Sequence, residues 1–109
     1  MVSDQRGPAI RALAESGRQR YHWRGRHPEL PDVVFLLETV IDGGEHWAIR
    51  HLELHTGDRL LRYWWEHLED EDGFLAEGAL QPTEWGLERL PAAEFAAAWQ
   101  SDTVSEIGS

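Results

Sequence analysis

The chain has 109 residues, 41% of them apolar and 28% charged, which fits one folded domain and leaves little room for two. It contains no Cys and no Lys, and its ten Arg stand against twenty acids for a net charge of −10. Disulfides, thiolate nucleophiles, thiolate metal sites and Schiff-base chemistry are excluded, and generic binding to nucleic acid or an anionic membrane is disfavoured. The charge is uneven. Residues 1–27 carry six Arg and two acids, a local +4, whereas residues 28–109 carry four Arg and eighteen acids, a local −14.

The first residues hold an acid and an Arg with no signal-peptide apolar run, and no segment approaches the ~20 apolar residues of a membrane span. A cytoplasmic protein is expected, and Arg without Lys beside abundant Ala and Gly points to a bacterial or phage genome. Residues 8–16 (PAIRALAES) predict a short helix, with Pro at an allowed N-terminal position and Gly17 as its C-cap. Residues 20–26 alternate as an edge strand would, with Tyr21 and Trp23 inward and His22, Arg24 and Arg26 toward solvent. The basic and aromatic run at 18–27 would suit nucleic acid in isolation, but the acidic remainder repels phosphate. After the stiff HPELP connector, residues 33–42 and 45–55 predict a β-hairpin closed by Gly43-Gly44. A turn at 56–58 leads to a third strand over 59–68, and short strands are expected at 74–76 and 84–90. Before Gly73, Glu66, Glu69, Asp70, Glu71 and Asp72 form an acidic loop without calcium-loop spacing. Residues 91–100 (PAAEFAAAWQ) predict a helix that sets Phe95 and Trp99 on one face. The expectation is a single α+β domain over 1–100, a curved antiparallel meander of 4–5 strands with the C-terminal helix packed on one face, and a flexible tail at 101–109.

With a two-residue turn at Gly43-Gly44, hairpin partners pair Phe35 with Leu52 and Leu37 with Arg50 on a strongly apolar face. The opposite face pairs Val34 with Glu53, Leu36 with His51, Glu38 with Ile49 and Val40 with Trp47. A three-residue turn after His55 adds Tyr63 and Trp65 to this second face; a two-residue turn adds Trp64 instead. This mixed face is the candidate functional surface, and Arg50 is expected to anchor the C-terminal helix through Glu94.

Glu38, Asp42, Arg50, Glu53, Gly57, Arg59, the Leu75-x-Glu77 step, Glu94-Phe95 and Trp99 form a pattern over about residues 31–99 that resembles small bacterial α+β domains of unknown function. The resemblance implies a few curved antiparallel strands with a closing helix, and implies no activity.

Two functional readings follow. In the first, the acidic body recognises a basic protein partner, as an immunity protein, antitoxin or phage inhibitor does; the binding residues are Trp47, Glu53, Tyr63, Trp64, Trp65, Glu66, Glu69, Asp70, Glu71 and Asp72. In the second, a small cofactor-independent enzyme or ligand-binding domain takes a small aromatic or planar ligand, with Glu38 and His51 as an acid–base pair on one face. Scattered His without ligand spacing predict no metal, and no glycine-rich phosphate loop or nucleophile elbow is present. Dimerisation through a spare sheet face is compatible with either reading.

Overall fold

The computed structural model describes residues 6–27, 29–30, 32–55, 59–71, 73–76 and 80–100. The turn at 56–58, Asp72, Glu77 and the tail at 101–109 lie outside the described residues. The fold is α+β: helix α1 (Arg6–Glu15), strands β1 (Arg20–Arg26), β2 (Val34–Asp42), β3 (Glu45–His55), β4 (Arg59–Tyr63), β5 (Glu69–Asp70), β6 (Gly73–Phe74) and β7 (Glu88–Arg89), then helix α2 (Ala92–Gln100). Five strands form one antiparallel sheet in the order β4-β3-β2-β1-β7, so β1 to β4 run as a meander; β5 and β6 form a separate hairpin. Among the described residues, no helix is long and apolar enough to cross a membrane.

Gly43 and Gly44 both adopt left-handed φ, 63° and 81°, the twist that a two-residue turn between right-twisted strands requires. The expected register holds next to this turn, where Val40 opposes Trp47 and Thr39 opposes Ala48. It then slips by one residue between Glu38 and Thr39, and from there Glu38 opposes Arg50, Leu37 opposes His51 and Leu36 opposes Leu52. The extra residue on β3 is Ile49, the signature of a β-bulge. Because side chains alternate with a period of two, the slip exchanges the faces of β3 relative to β2 beyond the bulge. The expected pairs Phe35–Leu52, Leu37–Arg50, Leu36–His51 and Glu38–Ile49 are therefore replaced. Phe35 and Leu37 share a face with Glu53 and His51, while Glu38 shares the other with Arg50.

Both faces of the sheet are covered. On one, Leu36 and Leu52 pack beneath Phe95 and Ala98 of α2, and Val40 and Ile49 pack beneath Ala14 of α1. On the other, Trp23, Leu37, Ala48 and Tyr63 pack beneath Leu75 and Leu80 of the chain that crosses after β4, with Leu68, Ala76 and Leu87 alongside. Each helix ends on an arginine from the sheet: Arg20 Nη2 donates to the Ala14 carbonyl at 2.6 Å, and Arg62 Nε donates to the Trp99 carbonyl at 2.8 Å. These cations meet the negative end of each helix dipole, which neither helix furnishes with a basic residue of its own. The edge-strand reading of β1 is corrected by this layering. His22 is buried, because α2 lies over the face that was expected to be solvated, and β7 pairs with Trp23 and Arg24 on the outer edge.

Candidate functional site

The two buried glutamates of the central strands occupy opposite faces and have different surroundings. Glu38, 2% exposed, accepts Arg50 Nε at 2.7 Å, Arg50 Nη2 at 2.8 Å, Arg20 Nη1 at 3.1 Å and His22 Nε2 at 2.9 Å. Burial pushes its carboxyl up, but the hydrogen bonds from Arg50 and His22 and the charges of Arg50 and Arg20 outweigh it and hold the group below its ordinary value of 4.5. Four donors fill the acceptor capacity of a carboxylate. The Arg50 guanidinium in turn lies 5.1 Å from the Phe95 ring centre and 4.9 Å from that of Trp99. Arg50 does anchor the C-terminal helix, through these two rings rather than through Glu94.

The expected Glu38–His51 pair does not form, because the bulge sends the two side chains to opposite faces. His51 instead shares its face with Glu53 and His55, three positions at the strand period of two. His55 Nε2 lies 2.9 Å from Glu53 Oε1, and His51 Nε2 lies 3.3 Å from Glu53 Oε2. Burial pushes the Glu53 carboxyl up, and the two histidines reverse the shift, leaving it below 4.5. The Ala76 N–H donates to His51 Nδ1 at 3.1 Å, so neutral His51 carries its proton on Nε2. That N–H is buried and, among the described residues, has no aligned acceptor: Glu53 Oε2 is near but off its axis. No set of three or more His, Asp or Glu among the described residues is placed to hold a metal ion.

This cluster lines a cavity of about 740 Å³, within the usual range of small-molecule pockets. Phe35, Leu37 and Leu87 give it apolar walls, and Arg26 and His27 bring polar groups to it. Gly25 allows the close packing beneath, since a Cβ there would collide with Leu87 and come within 2.8 Å of Phe35. Among the described residues, Leu30, Phe74 and Trp85 are the exposed large apolar ones, 49%, 53% and 55% accessible, and all three line this same cavity. They come from the β1–β2 connector, the β5–β6 hairpin and the turn before β7, so only the folded chain gathers them.

The remaining sequence-derived candidates are scattered. Trp47 lies on the α1 side, half-buried, with its indole N–H donating to the Asp42 carbonyl at 3.1 Å. Tyr63 is fully buried, its hydroxyl donating to Asp70 at 3.0 Å. His55 opposes Arg59 and His51 opposes Tyr63, which settles the open register between β3 and β4. Trp64 packs edge-on against Trp99 of α2, and Trp65 packs with Ile10, Leu13 and Ala14 of α1, so each is covered by a helix. Glu66, Glu69 and Glu71 are exposed. Asp70 is a turn organiser, accepting from Tyr63, from His67 Nε2 at 2.8 Å and from the Gly73 N–H at 3.1 Å.

Sequence reasoning missed His55, Phe74, Trp85, Leu30 and Arg26. The H-x-E-x-H spacing on a strand was a usable signal for His55; the loop residues carried none. Comparison of the chain with known protein families, with curated proteins and with solved structures finds no match to any of the three.

Proposed function

We propose that this protein is a small-molecule-binding domain whose neutral, planar ligand enters the cavity between Trp85 and Phe74 and reaches Glu53 and His51. The observation that carries the reading is the convergence of Leu30, Phe74 and Trp85 on one cavity that the buried Glu53 and His51 also line. Exposed apolar side chains are retained at a cost in solubility, and three that line one pocket, two of them aromatic, suit the flat face of a ligand. The opposite charges of Arg26 and Glu53 favour a ligand without net charge. We place the protein in the bacterial cytoplasm. Titration with 2-naphthol, followed by amide chemical shifts, tests this. The Ala76 amide and the His51 ring should shift, and Trp85→Ala should weaken binding about threefold to tenfold, as loss of one aromatic contact implies. Shifts confined to other parts of the molecule, or an unchanged affinity for the variant, would refute it.

A second reading, recognition of a basic protein, is supported by the exposed Glu66, Glu69 and Glu71 and by the net charge of −10. Its signature is association that slows as salt rises.

A further inference from the structure

Resting on the small-molecule reading above, we infer that the ligand carries a lactam-type edge, a ring N–H beside a carbonyl, read by Glu53 and His51 together. The two protein groups are complementary in sense and adjacent in space. His51 is fixed as an Nε2–H donor because its Nδ1 accepts the Ala76 N–H at 3.1 Å. Glu53 is an ionised acceptor, 8% exposed, which among the described residues receives one short hydrogen bond, from His55, against the four that Glu38 receives. The donor and the acceptor stand 3.3 Å apart, His51 Nε2 to Glu53 Oε2, but they are not aligned on each other. A buried N–H without an aligned acceptor is unfavourable, and a bound carbonyl oxygen would satisfy it. A carboxylate with acceptor sites to spare selects an N–H at the neighbouring atom of the same ring.

The remaining walls agree with a flat heterocycle. Phe35, Leu37 and Leu87 offer no hydrogen bonds to its body, and the exposed Phe74 and Trp85 line the same cavity with aromatic faces for it to stack on. A site that hydrogen-bonds such an edge discriminates strongly against analogues lacking it, because the protein groups are then left buried and unpaired. An amine ligand would satisfy Glu53 and leave the His51 N–H without its acceptor; a phenol would have to serve both groups through a single oxygen, whereas a lactam meets them with two adjacent ring atoms. A lactam edge satisfies both at once.

The test uses three neutral bicyclic probes with the full chain: 2-quinolone, N-methyl-2-quinolone and quinoline. Affinity is read by titration calorimetry, and the His51 imidazole by nitrogen NMR. The expected result is 2-quinolone bound at least about tenfold more tightly than N-methyl-2-quinolone, the loss that follows removal of one hydrogen bond to a charged group. The His51 Nε2–H should move downfield with 2-quinolone and not with quinoline, and Glu53→Gln should reduce the preference between the two quinolones. Should that variant fail to fold, the probe comparison in the natural chain decides alone. Equal affinities for all three probes, each weakened by Trp85→Ala, would overturn the lactam assignment and leave the pocket reading intact. No binding of any probe, or binding indifferent to Trp85→Ala, would overturn both.

Discussion

Glu38 and Glu53 lie on adjacent strands, both buried and both held below the ordinary carboxylate range, yet their surroundings give them different work. Glu38 is saturated by donors and has no lone pair with which to act as a base. Glu53 keeps acceptor capacity and faces a cavity. His46 belongs to a third polar chain, in which the Trp23 indole donates to Thr39 Oγ1 at 3.0 Å and the Thr39 hydroxyl donates to His46 Nδ1 at 2.9 Å. Burial, with Arg89 nearby, lowers the His46 pKa from 6.5. These three shifts set the acid limb of stability. The unfolded chain takes up protons first at each group, so falling pH favours unfolding. The His46 contribution is complete above pH 6.5 and declines below it; the carboxyl contributions are complete above pH 4.5 and are lost as pH falls through their folded values. Urea unfolding from pH 7 to pH 3 should show a shallow decline and then a steeper one. Glu38→Gln should flatten the steep part, and an unaltered slope would contradict the assignment.

At the level of elements, α2 docks through one arginine as well as through its own apolar stripe. Phe95 and Ala98 are buried, but Arg50 links the helix to the sheet by lying against Phe95 and Trp99 while it holds Glu38 with two hydrogen bonds. Arg50→Ala therefore removes the ring contacts and strips two donors from a buried carboxylate. Breaking one side of such a pair typically costs about 3–5 kcal/mol, most of it from the charge left behind. Urea unfolding should show a loss in that range, and hydrogen exchange should show the α2 amides opening first. A loss under about 1 kcal/mol would mean that Arg20 and His22 suffice to hold Glu38. The β5–β6 hairpin is organised similarly by Asp70, which ties Tyr63, His67 and Gly73 together and so positions Phe74 at the cavity.

For the molecule as a whole, the helices cover one sheet face and the irregular chain between β4 and β7 covers the other. Among the described residues, that second covering leaves a cavity against the sheet. The spare face expected for dimerisation is therefore occupied by the chain's own residues. The acidic hairpin borders the cavity through Phe74, so a charged rim and an apolar pocket are neighbours instead of lying on opposite sides. Under the basic-partner reading, steering by this charge is screened beyond roughly 8–10 Å at physiological salt. The association rate with a basic nuclease-type protein should then fall at least about tenfold between low and physiological ionic strength, measured by stopped flow. A salt-independent rate would remove that reading.

Local pattern was enough to locate the glycine turn, strands β1 and β3, both helices within two residues at each end and the α+β class, because alternation, capping and turn chemistry act over a few residues. The same alternation put His51, Glu53 and His55 on one face of β3. Which face of β2 they joined depended on one extra residue, Ile49, and a bulge leaves no mark in a period-two pattern. Nor could the chain's order show that Leu30, Phe74 and Trp85, from three separate connections, would rim one cavity. Their meeting depends on how the segment after β4 crosses the sheet, a long-range packing outcome. The composition limited any chemistry to histidine and carboxylate; the fold chose Glu53 and His51 for the cavity and committed Glu38 to the core, because only the folded chain decides which carboxylate is saturated and which is left open.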